Sequence, residues 1–234
     1  DDFAVAWLRA AVASRAARLD IVVSARSFRM RFDGDAFSHV DLTDPFHALL
    51  DGGEARAREL GFGLLGALRF EPDEVWLASG RGAGRSRLSV TLRRAQPETG
   101  DASEDTVLEA RWRPGAGPSA KEVAARLRSD FGLANLKVTL NGEVLAPVPA
   151  PGLVGWLEAG GADCRLWLAP RMDEKSSVHV YLFGARAGSV ESALVAPAQV
   201  EALVRDDRLN LDASRSKVVQ DAELERVREV IADA

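Results

Sequence analysis

Hydrophobic and polar positions follow a helical period in several parts of the chain. Apolar side chains recur at spacings of three and four over residues 3–19 and 54–70, which predicts helices that bury one face. The same spacing predicts a helix over 119–131 and a last helix that begins at Asp221. A further helix is predicted over 197–204, because its proline suits the first helical position.

Alternating and short apolar runs predict strands between these helices. Phe28, Met30 and Phe32 alternate with two arginines, as in a strand with one buried face. Asn141-Gly142 is typical of a tight hairpin turn between two short strands. Residues 96–105 are polar and predict a loop. The other predicted strands are Ile21–Val23, Val75–Ser79, Arg87–Arg93, Thr106–Trp112, Leu136–Leu140, Glu143–Leu145, Arg165–Leu168 and Val178–Phe183.

The segment Pro114–Pro118 is rich in proline and glycine and predicts a domain boundary. It divides the chain into a first domain over 1–114 and a second over 119–234. Both parts mix helices and strands, so the sequence predicts two α/β layers in tandem.

Composition narrows the function classes. The chain has 234 residues, of which 47% are hydrophobic and 28% charged, which is ordinary for a globular protein. Its net charge of −5 argues against nucleic-acid binding through bulk positive charge. No apolar run approaches the roughly 20 residues of a membrane span, so no membrane partner is expected. Cys164 is the single cysteine, so no disulfide within the chain is expected. A soluble cytoplasmic protein is the resulting expectation.

A glycine cluster carries the first candidate chemistry. Gly61-Phe62-Gly63 precedes an apolar run and a predicted strand that opens with Asp73-Glu74-Val75. This order resembles one motif of the GHKL ATPases, which include gyrase, the ninety-kilodalton heat-shock chaperones, histidine kinases and MutL. In that superfamily the Gly-x-Gly backbone lies against the nucleotide phosphates at a helix N-terminus. The resemblance implies that Gly61 and Gly63 bind a nucleotide; the alternative is that they permit close helix packing.

A second motif lies upstream, where a predicted strand ends in Asp33-Gly34. It resembles the D-x-G-x-G motif of the same superfamily, whose aspartate accepts a hydrogen bond from the adenine amino group. The resemblance implies cofactor-binding roles for Asp33 and Gly34. The alternative is a plain turn after a strand. The second glycine of the motif is missing from this chain.

The third motif runs from Val204 to Gln220. It resembles, without a gap, the catalytic loop in the middle domain of the heat-shock chaperones. In those proteins the arginine after the serine reaches the γ-phosphate, so the resemblance implies a catalytic role for Arg215. A planar, permanently charged guanidinium suits phosphate. The alternative is that Arg215 pairs with Asp212 or caps the last helix.

The first helix departs from the family pattern. That helix normally carries E-x-x-x-N, in which the glutamate polarises the attacking water and the asparagine holds Mg²⁺. Alignment through Trp7-Leu8-Arg9 puts Ala10 and Ser14 at those two positions. Alanine has no base, and a serine hydroxyl is a weak Mg²⁺ ligand. The resemblance therefore implies a degenerate catalytic site.

The resemblance implies a fold and two functions. The expected fold is a two-layer GHKL-like α/β sandwich followed by a smaller β-α-β domain similar to a transducer domain. The expected function is a chaperone-like nucleotide-binding module with weak or absent ATP hydrolysis. The alternative is a pseudo-ATPase that serves as a protein-interaction or assembly module without nucleotide. ATP or ADP is the implied ligand, with little support for Mg²⁺ or another metal, and the implied partners are proteins, a homodimer included.

Overall fold

A computed structural model describes residues 3–80, 85–91, 94–99, 104–146, 157–160, 164–170, 177–191, 200–212, 215 and 217–233. Its helices are α1 Phe3–Ala13, α2 His39–Thr43, α3 His47–Leu50, α4 Ala55–Leu68, α5 Ala120–Asp130 and α6 Ala222–Asp233. Its strands are β1 Arg18–Val23, β2 Ser27–Phe32, β3 Glu74–Ser79, β4 Ser86–Thr91, β5 Arg94–Thr99, β6 Thr106–Arg111, β7 Lys137–Leu140, β8 Glu143–Leu145, β9 Leu157–Gly160, β10 Arg165–Pro170, β11 Ser177–Leu182, β12 Ala185–Glu191 and β13 Val200–Arg205.

The strands form two mixed sheets. The larger sheet has eight strands in the order β5-β4-β3-β6-β2-β1-β7-β8, and the smaller has five in the order β12-β11-β13-β10-β9. Pairing in the larger sheet is antiparallel except between β1 and β7, and in the smaller sheet it is antiparallel except between β11 and β13. This α+β architecture of a large and a smaller sheet confirms the predicted fold class.

Helices cover one face of the larger sheet. The alternation in β2 buries Phe28, Met30 and Phe32 on this inner face. Phe28 meets two aromatic side chains of α1, with ring centroids 4.9 Å from Phe3 and 5.7 Å from Trp7. Aromatic side chains therefore pack α1 against the larger sheet.

The smaller sheet has its own core. Alternate residues of β11 are buried, namely Val178, Val180 and Leu182. They belong to one apolar cluster with Leu224, Val227 and Ile231 of α6. The helical spacing of those three residues explains why the last helix lies on this sheet.

The two compact units do not coincide with the predicted domains. Residues 2–129 and 135–145 form the larger unit, and 130–134 and 146–234 form the smaller one. The predicted boundary at Pro114–Pro118 thus falls inside the larger unit. The reason is the parallel pairing of β7 with β1, in which Val138 lies opposite Leu19. A strand from beyond the proline-rich segment thereby completes the first sheet.

Locally encoded elements agree with the sequence predictions. The Ser119 hydroxyl accepts a hydrogen bond from the Glu122 backbone at 3.3 Å, as an N-cap residue does where the predicted helix begins. Asp221 caps α6 by accepting from the backbone of Leu224 at 3.2 Å. Asn141 and Gly142 have φ of 52° and 84°, the left-handed values of a type I′ hairpin turn.

Other elements differ from prediction. The first helix ends at Ala13 instead of residue 19, because β1 already begins at Arg18. The predicted helix over 197–204 is wrong in its described part, which is strand β13. The predicted loop over 96–105 is wrong at its start, where β5 pairs with β4. In the described part of the chain no helix is long and apolar enough to cross a membrane.

Candidate nucleotide site

The glycine pair lies in the middle of a helix. Helix α4 begins at Ala55, as the helix predicted over 54–70 implied, so Gly61 and Gly63 do not lie at a helix N-terminus, where the superfamily motif has its glycines. Inside an α-helix each N–H is directed to the carbonyl four residues before it. The backbone N–H groups of these glycines are therefore not the unsatisfied donors that an anion needs.

Close contacts explain the glycines instead. A Cβ atom on Gly63 would lie 2.1 Å from Cδ1 of Trp7, and one on Gly66 would lie 3.0 Å from Cβ of Phe3. A Cβ atom on Gly61 would lie 2.6 Å from the carbonyl oxygen of Pro45. The distances at Gly61 and Gly63 are too short for a side chain, and the one at Gly66 is tight, so the glycines allow α4 to touch its neighbours. The packing alternative considered for Gly61 and Gly63 is the one these contacts support.

The Asp33 carboxylate joins α1 to β1. Its Oδ1 accepts hydrogen bonds from the backbone N–H of Ala17 at 2.7 Å and of Arg18 at 2.9 Å. Its Oδ2 lies 3.6 Å from Nε of Arg18. Gly34 follows with φ of +105°, and a Cβ there would lie 2.4 Å from the Ser14 carbonyl oxygen. Asp33 and Gly34 thus close a tight junction.

The two family positions on the first helix are both sealed in the core. Ala10 and Ser14 each have no exposed surface. The Ser14 hydroxyl has no hydrogen-bond partner among the described residues, and its carbonyl accepts from the Asp35 backbone at 2.7 Å. Ala10 and Ser14 thus supply neither the carboxylate base nor the carboxamide that the family has at these positions. Within the described ranges no group of three acidic, histidine or cysteine side chains could hold a metal ion.

Phe37 closes the neighbouring end of the sheet. Its ring is buried, and its backbone N–H donates to the Ser79 hydroxyl at 2.9 Å. The Ser79 hydroxyl in turn lies 2.7 Å from that of Thr106. Arg56 donates to the Ala36 carbonyl at 2.8 Å and lies 5.6 Å from the centroid of the Phe37 ring. Polar groups at this end of the sheet are therefore engaged by the chain itself.

Asp105 is the centre of an ion-pair cluster at the same end of the sheet. It accepts from Nε of Arg31 at 2.6 Å and lies 3.3 Å from Nη2 of Arg18. Burial by itself would raise the pKa of Asp105, but the hydrogen bond and charge of Arg31, aided by Arg18, outweigh burial and lower this pKa below its usual value. The carboxylate is therefore ionised and structural at neutral pH.

Arg215 lies in the smaller unit, in a turn between β13 and α6. Its φ is 58°, and its backbone N–H donates to the Asp212 carbonyl at 2.8 Å. The segment before it is anchored by Asp206, which is fully buried and pairs with Arg208 at 3.5 Å and with Arg226. The sequence gave no sign of this buried anchor.

Comparison with known proteins supports the fold. No protein-family model matches the chain, and no curated protein matches it. Among solved structures it is similar to the ATPase and transducer domains of DNA topoisomerase II from Balamuthia mandrillaris, with 12% identity and a TM-score of 0.62. The match covers 99% of this chain and 83% of that one.

At this identity the similarity concerns the fold alone. The chain has a fold similar to that of the ATPase and transducer domains of a DNA topoisomerase II, which agrees with the fold that the resemblance implied. The finer chaperone-like assignment is not part of that finding and remains a prediction.

Sequence reasoning did not identify the contacts that Trp7 and Phe37 make near the candidate site. The sequence gives no partner for Trp7. A possible signal was the spacing of the α4 glycines, because Gly63 contacts Trp7 and Gly66 contacts Phe3 of α1. Phe37 comes shortly after the Asp-Gly pair, and no periodicity marks its burial. Both depend on contacts between segments far apart in sequence.

We predict that Gly63→Ala destabilises the protein by about 1–3 kcal/mol, although alanine favours a helix by about 1 kcal/mol over glycine. The physical reason is the contact with the Trp7 ring. Urea unfolding measures the effect. In a Trp7→Leu background the same substitution should lose most of its cost, and an unchanged cost there would contradict the assigned contact.

We predict that Asp105→Asn lowers the free energy of unfolding at pH 7 by about 1.5–3 kcal/mol, because it removes charge-assisted hydrogen bonds. Since the pKa of Asp105 is lowered by folding, its contribution is present above the unfolded value near 3.9 and is lost as pH falls through the folded value. The difference between wild type and variant should therefore shrink below about pH 4. Asp73→Asn, which removes a surface pair, is the control and should change little.

Proposed function

We propose that this chain is an assembly module of the GHKL fold, which acts through protein association and neither binds nor hydrolyses ATP. The contact between Trp7 and Gly63 carries the proposal. In the superfamily that the chain resembles, the Gly-x-Gly backbone faces the phosphates, whereas here the Trp7 indole lies directly against Gly63. A phosphate at Gly63 would have to displace this buried ring.

The chemistry of the first helix supports the same conclusion. Ala10 lies where the superfamily has its general base, and it is enclosed in the core. Loss of a general base alone lowers a rate by roughly 10²–10⁴-fold. A water molecule attacking a phosphate would find no carboxylate on this helix to accept its proton.

The competing hypothesis is a chaperone-like nucleotide-binding module with weak or absent hydrolysis. It assigns adenine to Asp33 and Gly34, phosphates to Gly61 and Gly63, and γ-phosphate sensing to Arg215. The fold similarity to an ATPase domain favours it. Binding of that kind would require the Asp33 carboxylate to exchange its hydrogen bonds with the backbone of α1 and β1 for a bond to the base.

Calorimetric titration with ATP, with and without Mg²⁺, separates the two hypotheses. We expect no heat of binding up to about 1 mM ATP, which corresponds to less than about 4 kcal/mol of binding free energy. Saturable binding that Asp33→Asn abolishes and Asp35→Asn leaves intact would contradict the proposal. Phosphate release that Arg215→Ala abolishes would contradict it as well.

A further inference from the structure

The outer face of the larger sheet carries a row of arginines. In β1 and β2 the apolar residues alternate inward, so their polar residues face away from α1. The side chains of Arg18, Arg29 and Arg31 are 62%, 51% and 50% exposed. Arg111, at the end of the neighbouring strand β6, is 57% exposed. Four guanidinium groups therefore lie side by side on three adjacent strands.

Two sunken carboxylates hold these arginines in place. Asp105 lies between Arg18 and Arg31, at 3.3 and 2.6 Å. Glu109 lies 3.7 Å from Nε of Arg29 and 2.5 Å from Nε of Arg111. The carboxylate side chains are only 9% and 7% exposed. The acids are covered, and the arginines form the surface.

This arrangement pre-organises hydrogen-bond donors. A guanidinium has five N–H groups in a rigid fork, and the neighbouring carboxylates engage only part of them, even at Arg18, which lies near both Asp105 and Asp33. A side chain that is already held loses less conformational entropy when it binds a ligand. The face therefore offers ordered donors that suit further carboxylate groups.

The charge of this face differs from that of the whole chain. Lys137 of β7 lies in register with Arg18 and adds a cation. Asp20 of β1 lies directly opposite Arg31 and accepts from the Thr139 hydroxyl at 2.5 Å, and Asp33 lies 3.6 Å from Arg18. Five cations thus face four carboxylates on this part of the sheet, a small positive excess in a chain whose net charge is −5.

Exposed aliphatic side chains lie beside the arginines. Val22 is 51% exposed and lies directly opposite Arg29 across β1 and β2. Val144 of β8 is 64% exposed and lies in register with Thr139, in the row that continues to Asp20. A ligand on this face would meet both cationic and aliphatic groups.

We propose that this outer face binds an extended, acidic segment of a partner protein, one that alternates carboxylates with aliphatic residues. The inference rests on the proposed function as an association module, and it assigns the outer face of the larger sheet as the surface that binds the partner. A single-stranded nucleic acid is a poorer fit, because such ligands need open aromatic rings for base stacking. Trp76 of this face lies under the Arg87 guanidinium, 4.9 Å from the ring centroid.

The test is fluorescence anisotropy with a labelled peptide of about twelve residues that alternates glutamate and valine, a period that suits an extended strand. We expect the full chain to bind it without nucleotide, and binding to weaken as salt rises. Arg29→Gln with Arg31→Gln should weaken binding by about tenfold or more for each arginine removed. Arg58→Gln with Arg126→Gln, two exposed helical positions, is the control of equal charge change and should bind like wild type.

Three outcomes would overturn the inference. They are no binding by wild type, equal losses in the two double variants, and tighter binding of a labelled single-stranded DNA of matched length. Thermal unfolding of each variant separates loss of binding from loss of fold. None of these outcomes bears on nucleotide binding, so failure here is distinguishable from failure of the proposed function, which the ATP titration tests.

Discussion

The contact between α1 and α4 is the interaction on which the larger unit depends. Trp7 lies against Gly63, Phe3 lies against Gly66, and both rings continue onto Phe28 of the sheet. Side chains at either glycine would separate the helices, and buried aromatic rings contribute much of the stability of a protein core. The same contact buries the backbone of Gly63 against the Trp7 ring.

Charged residues stabilise the sheet where apolar packing ends. Asp105 and Glu109 are largely buried, and each carboxylate pairs with two arginines. These pairs offset the cost of removing a charge from water. Asp206 has the same role in the smaller unit, where Arg208 and Arg226 surround it. In each case the acid is structural and the outward guanidinium groups remain available to solvent or a partner.

The sequence predicted those parts of the fold that local chemistry decides. The N-cap at Ser119 and the hairpin turn at Asn141-Gly142 need only neighbours in the chain, and both are present. The helix predicted over 197–204 was wrong in its described part, because Val200–Arg205 pairs with β10 and β11, which are distant in sequence. Pairing of that kind overrides local propensity. For the candidate site, the sequence identified the motif residues, but it did not predict which residues they contact in the fold.

By itself the sequence determined the mixture of helices and strands, an order of motifs that resembles that of the GHKL ATPases, and an alanine at position 10. Only the tertiary structure decided which groups Gly61, Gly63 and Asp33 contact. A glycine is equally suited to a phosphate and to an aromatic ring, because both need a backbone without a side chain. An aspartate likewise accepts hydrogen bonds from a base or from a backbone. Which partner is present depends on how distant segments meet. Here Gly63 contacts Trp7 and Gly61 contacts Pro45, while Asp33 binds the backbone between α1 and β1.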